Sequence, residues 1–312
     1  MIESIGHGIS CIDTGYLRPG LAASFLLQQG DEAAIIETGT PRSVGRILRG
    51  MAAAGVAPES VRWIIPTHVH LDHAGGAGAL LAHCPNASLL VHPRGVRHMI
   101  DPTSLVAGSV AVYGQQRFDE LYGTVVPAGA SRVMAAADGS DWTLGSRVLR
   151  IRDTPGHAKH HFCIWDEASA SWFTGDTFGI AYRELCFDGI PFLMPTTTPV
   201  QFDPAALHDS IDLLMAAEPS GFNLTHFGHV AARAGLATTL HAEVDCYVQL
   251  CLAAPAGPQA HAVLVESLTA HTAERLRAAG CRWRYGAIAR FLAFDMDLNA
   301  AGLLGWRAAA AA

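Results

Sequence analysis

Four side chains of types that bind metal ions lie within six positions of one another. They are His68, His70, Asp72 and His73. An apolar run at 63–65 precedes them and predicts a buried strand that ends at Pro66, because proline has no N–H group to continue a β-ladder. Small residues at 74–81 follow and predict the start of a helix packed closely beneath this segment.

The spacing of these residues suits metal binding. Side chains two apart in extended backbone point to the same side, so His68 and His70 can bind one ion. Asp72 and His73 come after the loop turns and can face a second ion. Neutral imidazole and carboxylate are common ligands for zinc and its first-row neighbours. The alternative, a histidine-rich polar turn without metal, explains neither the strand before it nor the similar residues downstream.

The segment resembles the H-x-H-x-D-H signature of the metallo-β-lactamase superfamily. Three later motifs resemble the remaining ligand positions of that family and occur in the family's order. They are Thr154-Pro155-Gly156-His157, Phe173-Thr174-Gly175-Asp176 and Asn223-Leu224-Thr225-His226. The resemblance covers roughly residues 8–230.

The resemblance implies a site for two divalent metal ions. By this analogy the first ion is bound by His68, His70 and His157, the second by Asp72, His73 and His226, and Asp176 bridges them. Zn²⁺ is the expected metal, with Fe or Mn as alternatives, because histidine and carboxylate serve all three. His229 is the alternative to His226 as last ligand; we prefer His226 because it lies directly at a strand end.

Three further residues are expected near the ligands. Where the family has Asp-Thr-Gly, with the acid just behind the metal ligands, this chain has Glu37, whose longer arm can reach differently. His161 matches the last position of the H-x-x-G-H pattern of enzymes that resemble glyoxalase II, and His160 replaces the glycine. Supporting or structural roles are favoured over direct contact with the site for both histidines.

The order of strands and helices predicts an α/β fold, and the resemblance implies the four-layer αβ/βα sandwich with a C-terminal helical appendage. Residues 93–127 read as an insertion over the site rather than as sheet. Asp203 and Pro204 predict the start of a helix whose apolar side includes three residues at helical spacing. They are Leu207, Ile211 and Leu214.

We predict a catalytic domain at 1–230 and a helical region at 231–312. The helical region resembles the appendage of glyoxalase-II-like enzymes in position only, and a dimerisation element, giving a homodimer, is the alternative. Histidines 241, 261 and 271 lie there and are expected to be exposed or hydrogen-bonded rather than metal ligands.

The composition argues against nucleic-acid binding, a membrane span and export. The net charge is −7 and Lys159 is the sole lysine, which disfavours nucleic acid as a partner. No apolar run approaches the length of about 18 residues that a membrane span needs. The seven cysteines are scattered, and the N-terminus lacks the pattern of an export signal, so we expect a cytoplasmic protein with free thiols. A small molecule is the expected substrate.

The predicted metal site suits a hydrolysis reaction. Two divalent ions that share a water lower its pKa from about 15.7 towards 7, which gives a bridging hydroxide as nucleophile at neutral pH. No G-x-S-x-G elbow is present, and Asp72 could relay a proton in addition to ligating. We therefore predict cleavage of a thioester, a lactone or another small carbonyl ester.

Two alternatives to the hydrolase remain open. The first is a mononuclear iron oxygenase of the persulfide dioxygenase type on the same fold. The second is a metal site that serves only folding or partner binding.

Overall fold

The computed structural model describes residues 2–310. Its strands are β1 Ile2–Gly6, β2 Ile9–Asp13, β3 Ala23–Gln29, β4 Glu32–Ile36, β5 Val61–Ile65, β6 Ser88–Val91, β7 Val133–Ala135, β8 Asp141–Leu144, β9 Arg147–Asp153, β10 Phe162–Asp166, β11 Ser171–Gly175, β12 Cys186–Phe187, β13 Ile190–Pro191, β14 Gly221–Leu224 and β15 Gly228–Ala231. Its helices are α1 Val44–Ala53, α2 Leu71–Ala74, α3 Ala77–His83, α4 Val96–Ile100, α5 Thr103–Tyr113, α6 Gln115–Leu121, α7 Pro204–Met215, α8 Leu236–Ala253, α9 Ala260–Ala278, α10 Tyr285–Phe291 and α11 Ala293–Ala310.

The described chain forms two compact units. One consists of the residues up to Asp153 together with His160–Gly175 and Pro219–Ala232. The other consists of Thr154–Lys159, Asp176–Glu218 and the residues from Arg233 on. The domain boundary predicted at residue 230 stays a prediction, because it concerns which parts of the chain fold independently.

The first unit contains two mixed sheets. One has the strand order β1-β2-β3-β4-β5-β6-β7, parallel from β4 to β7, and the other has the order β15-β14-β11-β10-β9-β8, parallel only between β11 and β14. The rings of Phe25 on β3 and Phe173 on β11 meet edge to face at 5.3 Å, so the two sheets pack on each other. Strands β10 and β11 form an antiparallel hairpin, and the predicted α/β class is confirmed.

Helices α1 and α3 cover the first sheet because each has one apolar side. Ile47 of α1 and Leu80 of α3 are fully buried in one cluster with Ile35 and Ile64 of the sheet. The strand β5 is almost entirely buried, as expected for a central strand between parallel neighbours. The predicted strand that ends before Pro66 is therefore confirmed, and the loop that follows it leaves the sheet at its carboxyl edge.

The region at 93–127 contains no strand and forms the short helices α4, α5 and α6. The expectation that this region is not part of a sheet is confirmed. Helix α5 has no buried residue, which explains why its sequence shows weak helical periodicity.

The second unit is mainly helical. Asp203 accepts a hydrogen bond from Ala206 N–H and caps α7, and the three predicted apolar residues of that helix are buried. Helices α8, α9 and α11 bury Val244, Leu268 and Leu303 among others. Two further helices, α10 and α11, follow, and α11 continues to Ala310. Within residues 2–310, no helix has both the length and the hydropathy needed to cross a bilayer.

Candidate metal centre

The segment after β5 brings its three histidines together in the first unit. His68 lies in a bend of the loop, His70 occupies the N-cap position of α2, and His73 lies on that one-turn helix. His68 Nε2 lies 2.9 Å from His70 Nδ1, and the rings of His68 and His73 are 4.0 Å apart. The sequence pattern does not predict helix α2, because its four residues are too few to show a helical period. This turn directs Asp72 and His73 away from the extended strand direction.

A second group in the same unit consists of Asp72, His73 and His226. One potential ligand atom from each lies within 4.8 Å of the others. The Asp72 carboxylate is 3.6 Å from His226 Nε2 and 3.8 Å from His73 Nε2, and 22% of its side chain is exposed. Two nearly buried imidazoles and a partly open carboxylate are a donor set that suits a divalent metal ion.

The orientation of His226 is fixed by the backbone. Its Nδ1 donates a hydrogen bond of 2.8 Å to the carbonyl of Leu21, because a carbonyl can only accept. The Nε2 atom, which faces Asp72, therefore carries the lone pair, as a metal ligand requires. His229, the alternative to His226, is exposed on β15 and pairs through Nδ1 with Asn223.

Glu37 links the segments that hold these side chains. Its buried carboxylate accepts hydrogen bonds from the hydroxyls of Thr67, at 2.6 Å, and Thr225, at 3.2 Å, and lies 3.2 Å from His73 Nδ1. Thr67 in turn lies 3.1 Å from His68 Nδ1. Since the threonine hydroxyl donates to Glu37, it accepts from His68, and the Nε2 of His68 is left with the lone pair. The longer arm of glutamate thus positions residues of three chain segments.

His157 and Asp176 lie in the second unit and form a pair of their own. His157 Nε2 is 3.4 Å from the Asp176 carboxylate, and both side chains are buried. The other ring nitrogen of His157, Nδ1, is 2.7 Å from the hydroxyl of Thr196. The hydroxyl of Thr177 donates to the carbonyl of Thr154, which ties the two loops together.

His160 and His161 contact the histidine cluster of the first unit more directly than expected. The ring of His161 stacks on His68 with centroids 4.8 Å apart, and His160 lies 5.6 Å from His70. Burial, and after it the neighbouring histidines led by His70, lower the pKa of His160 to about 3. His160 is therefore a neutral ring at physiological pH.

The sequence analysis did not identify Tyr16, whose pKa is affected by the charge of Asp72. Its hydroxyl is 3.2 Å from that of Tyr122, and both side chains are buried. Burial, followed by the charge of Asp72, raises the pKa of Tyr16 well above its usual 10, so it stays a neutral hydroxyl. The only signal in the sequence was an aromatic residue between two strands, which is typical of many cores.

This chain is similar to several known proteins. A family model described as the metallo-beta-lactamase superfamily matches residues 17–217. A hydroxyacylglutathione hydrolase of Anaeromyxobacter dehalogenans (strain 2CP-C) is 30% identical over 250 residues, which cover 80% of this chain and 73% of that protein. The acyl-coenzyme A thioesterase MBLAC2 of Bos taurus is 27% identical over 205 residues, which cover 61% of this chain and 69% of that protein.

A solved structure supports the fold. The archaeal metallo-beta-lactamase superfamily protein from Sulfolobus tokodaii superimposes with a TM-score of 0.61 at 21% identity, over 87% of this chain and 98% of that one. The predicted fold class, the sandwich of this superfamily with C-terminal helices, is thereby confirmed. By the family model and by the hydroxyacylglutathione hydrolase relative, this chain belongs to the metallo-beta-lactamase superfamily.

Proposed function

We propose that the protein is a metal-dependent hydrolase of ester-like bonds that uses two divalent ions. The group of Asp72, His73 and His226 carries this proposal, because one potential ligand atom of each lies within 4.8 Å of the others and the carbonyl of Leu21 orients the His226 ring. The proposed ligands of the first ion are His68, His70 and His157, those of the second are Asp72, His73 and His226, and Asp176 bridges. Zn²⁺ fits this donor set best.

Two ions bound by these residues would supply acidity that the side chains lack, by lowering the pKa of a bound water towards 7 and polarising a carbonyl oxygen. The side chains of the protein would position the reacting groups and transfer protons. Asp72 is the partly open carboxylate of its group and can accept a proton as the attacking water loses it. Burial, and after it the neighbouring charges that include Asp72, raise the pKa values of Tyr16 and Tyr122, so both hydroxyls stay protonated.

A thioester is the substrate class we favour among thioesters, lactones and other small carbonyl esters. The relatives named above are a hydroxyacylglutathione hydrolase and an acyl-coenzyme A thioesterase. A chain with a net charge of −7 and one lysine has little to offer a nucleic-acid backbone. We also propose the cytoplasm as its compartment, because the seven cysteines are scattered through the sequence and none forms a C-x-x-C motif.

Metal analysis combined with thioester turnover tests the proposal. Protein purified with and without air should contain two zinc ions per chain and release thiol from small acyl thioesters. His226→Gln should lose one ion and most of the activity, because it removes the Nε2 that faces Asp72. His229→Gln is the matched control and should behave as the unaltered protein, since His229 is exposed and pairs with Asn223.

Two results would contradict the hydrolase. One iron per chain, with oxygen consumption in the presence of a glutathione persulfide, would support the oxygenase instead. Two bound ions without turnover of thioesters, lactones or chromogenic esters would leave only a role of the metal in folding or partner binding. Loss of metal in the His229 variant alone would assign the last ligand to His229.

A further inference from the structure

A pair of histidines joins two helices of the second unit outside the candidate metal centre. The ring centroids of His208 on α7 and His241 on α8 are 4.9 Å apart, and the angle between the ring planes is 21°. Their Nδ1 atoms face each other at a distance of 2.6 Å. About a quarter of each side chain is exposed, so the pair is open to solvent on one side.

Each histidine is held by a carboxylate of the opposite helix. His208 Nε2 is 3.0 Å from Asp245, and His241 Nε2 is 3.1 Å from Asp212. An ionised carboxylate only accepts hydrogen bonds, so each Nε2 carries a hydrogen. In neutral rings both Nδ1 atoms then carry lone pairs, and the two lone pairs point at each other.

Two lone pairs at 2.6 Å repel each other unless a cation lies between them. A single shared proton satisfies this requirement, and so does a metal ion. The arrangement also has the pattern in which a metal-binding histidine donates its other N–H to a carboxylate, which fixes the tautomer and raises the basicity of the ligand nitrogen.

We propose that His208 and His241 form a binding site for a divalent transition-metal ion that joins α7 to α8. Imidazole suits Zn²⁺, Ni²⁺ and Cu²⁺. With Zn–N bonds of about 2.0–2.1 Å in tetrahedral geometry, the two nitrogens would lie about 3.3 Å apart. The rings therefore need to open by less than about 1 Å, and water fills the remaining positions. This site is independent of the proposed hydrolase activity.

Equilibrium dialysis of the untagged protein tests the site. The protein is first saturated with zinc at its tight sites and then titrated with Ni²⁺ or Zn²⁺. We expect one further ion per chain, and we expect His208→Gln and His241→Gln each to weaken its binding at least tenfold. His261→Gln is the matched control, because His261 lies beside a single aspartate, Asp297, without a second imidazole.

Thermal unfolding gives a second measurement that does not depend on activity. A metal that joins two helices binds the folded state better than the unfolded state, so Ni²⁺ should raise the Tm of the unaltered protein and of the His261 variant. The His208 and His241 variants should lose this increase while their Tm without added metal stays near that of the unaltered protein.

Two outcomes overturn the proposal. In the first, the unaltered protein and the His241 variant bind the same number of added ions with the same affinity. In the second, neither metal binds at millimolar concentration, which means that the pair holds a shared proton only. Asp212→Asn adds a graded check: binding about 10–100-fold weaker is expected when the carboxylate behind a ligand is removed.

Discussion

Glu37 stands where the resemblance described above leads us to expect an aspartate. Its backbone has φ = 64°, a conformation that costs a side-chain-bearing residue about 1–2 kcal/mol. The surrounding contacts with Thr67, Thr225 and His73 hold it there. A side chain in a strained position with this many partners near proposed ligands indicates a positioning role.

Replacing Glu37 tests that role. Glu37→Gln should weaken metal binding about 10–100-fold, because the neutral amide holds Thr67 and His73 less firmly than the carboxylate does. Chelator competition measures the affinity. Glu32→Gln is the control at the start of β4, the strand that ends just before Glu37, because the Glu32 carboxylate accepts from Gly145 near the surface. Equal affinity in the Glu37 variant and the unaltered protein would show that the carboxylate is only structural.

Asp176 is proposed to bridge two ions, and its removal should affect both together. In Asp176→Ala we expect the metal content to fall at both sites, because a shared carboxylate holds the two charges at one separation. Metal analysis after gel filtration measures this, with the exposed Asp31→Ala as control. Loss of exactly one ion with the other intact would assign Asp176 to a single metal.

The loop that carries His157 is fixed by α7 through Gly156. This glycine has φ = 125°, and an added Cβ would lie 2.4 Å from the backbone of Leu207. Asp203 N–H donates to its carbonyl, and the hydroxyl of Ser210 donates to the carbonyl of Pro155. The start of one helix thus sets the position of a proposed ligand.

Alanine at Gly156 should therefore be costly. Gly156→Ala combines an unfavourable φ with a backbone clash, and we expect it to lower the free energy of unfolding by about 2–5 kcal/mol. Gly139→Ala separates the two effects, because Gly139 also has positive φ but no atom near an added Cβ; it should cost about 1–2 kcal/mol. Urea unfolding measures both. Equal losses would mean that α7 gives way readily.

Strands β9 and β10 are joined by a buried ion pair between Arg147 and Asp166. The guanidinium donates two bonds to the carboxylate and a third to the carbonyl of His7, and neither charged side chain is more than 1% exposed. The pair therefore connects the second sheet to the turn between β1 and β2 in the first sheet.

Removing one partner of this pair should leave a buried charge uncompensated. We expect Asp166→Asn to lower the free energy of unfolding by about 3–5 kcal/mol. The same change at the exposed Asp141–Arg150 pair, Asp141→Asn, should cost less than about 1 kcal/mol. Chemical denaturation measures the difference. Similar values for the two variants would show that water reaches Arg147.

The sequence predicts those elements whose own residues mark where they begin or end, such as a proline after a strand or a capping aspartate before a helix. The strand that ends before Pro66 and the helix cap at Asp203 both agree with the predictions from the sequence. Strand β7 has three residues and exists only because it pairs with β6, so no local pattern marks it. The pairing of Tyr16 with Tyr122 joins residues 106 positions apart, and only the folded chain brings them together.

The roles of the ligands remain predictions, because spacing alone does not show which atoms face one ion. Glu37 illustrates the limit. The sequence placed an acid near the site, whereas its reach to Thr67 and Thr225 depends on two strand ends that are distant in the chain.

Metal removal tests how far the proposed ions stabilise the folded chain. Buried imidazoles and carboxylates that converge without a cation repel or stay desolvated, so bound ions should favour the folded state. An ion present at a thousandfold excess over its Kd contributes about 4 kcal/mol. At roughly 2–4 °C per kcal/mol, exhaustive chelation should lower the Tm by on the order of 10 °C per ion lost, and added zinc should restore it.

A variant shows whether this change comes from the proposed site. His73→Gln removes a ring that lies between Asp72 and Glu37, so it should keep at most one ion, and chelation should lower its Tm by about half as much. His83→Gln, at the end of α3, is the control and should respond as the unaltered protein does. If chelation empties the protein of metal and the Tm does not move, then the converging histidines and carboxylates are stable without a cation, and the proposed coupling of metal binding to folding is wrong.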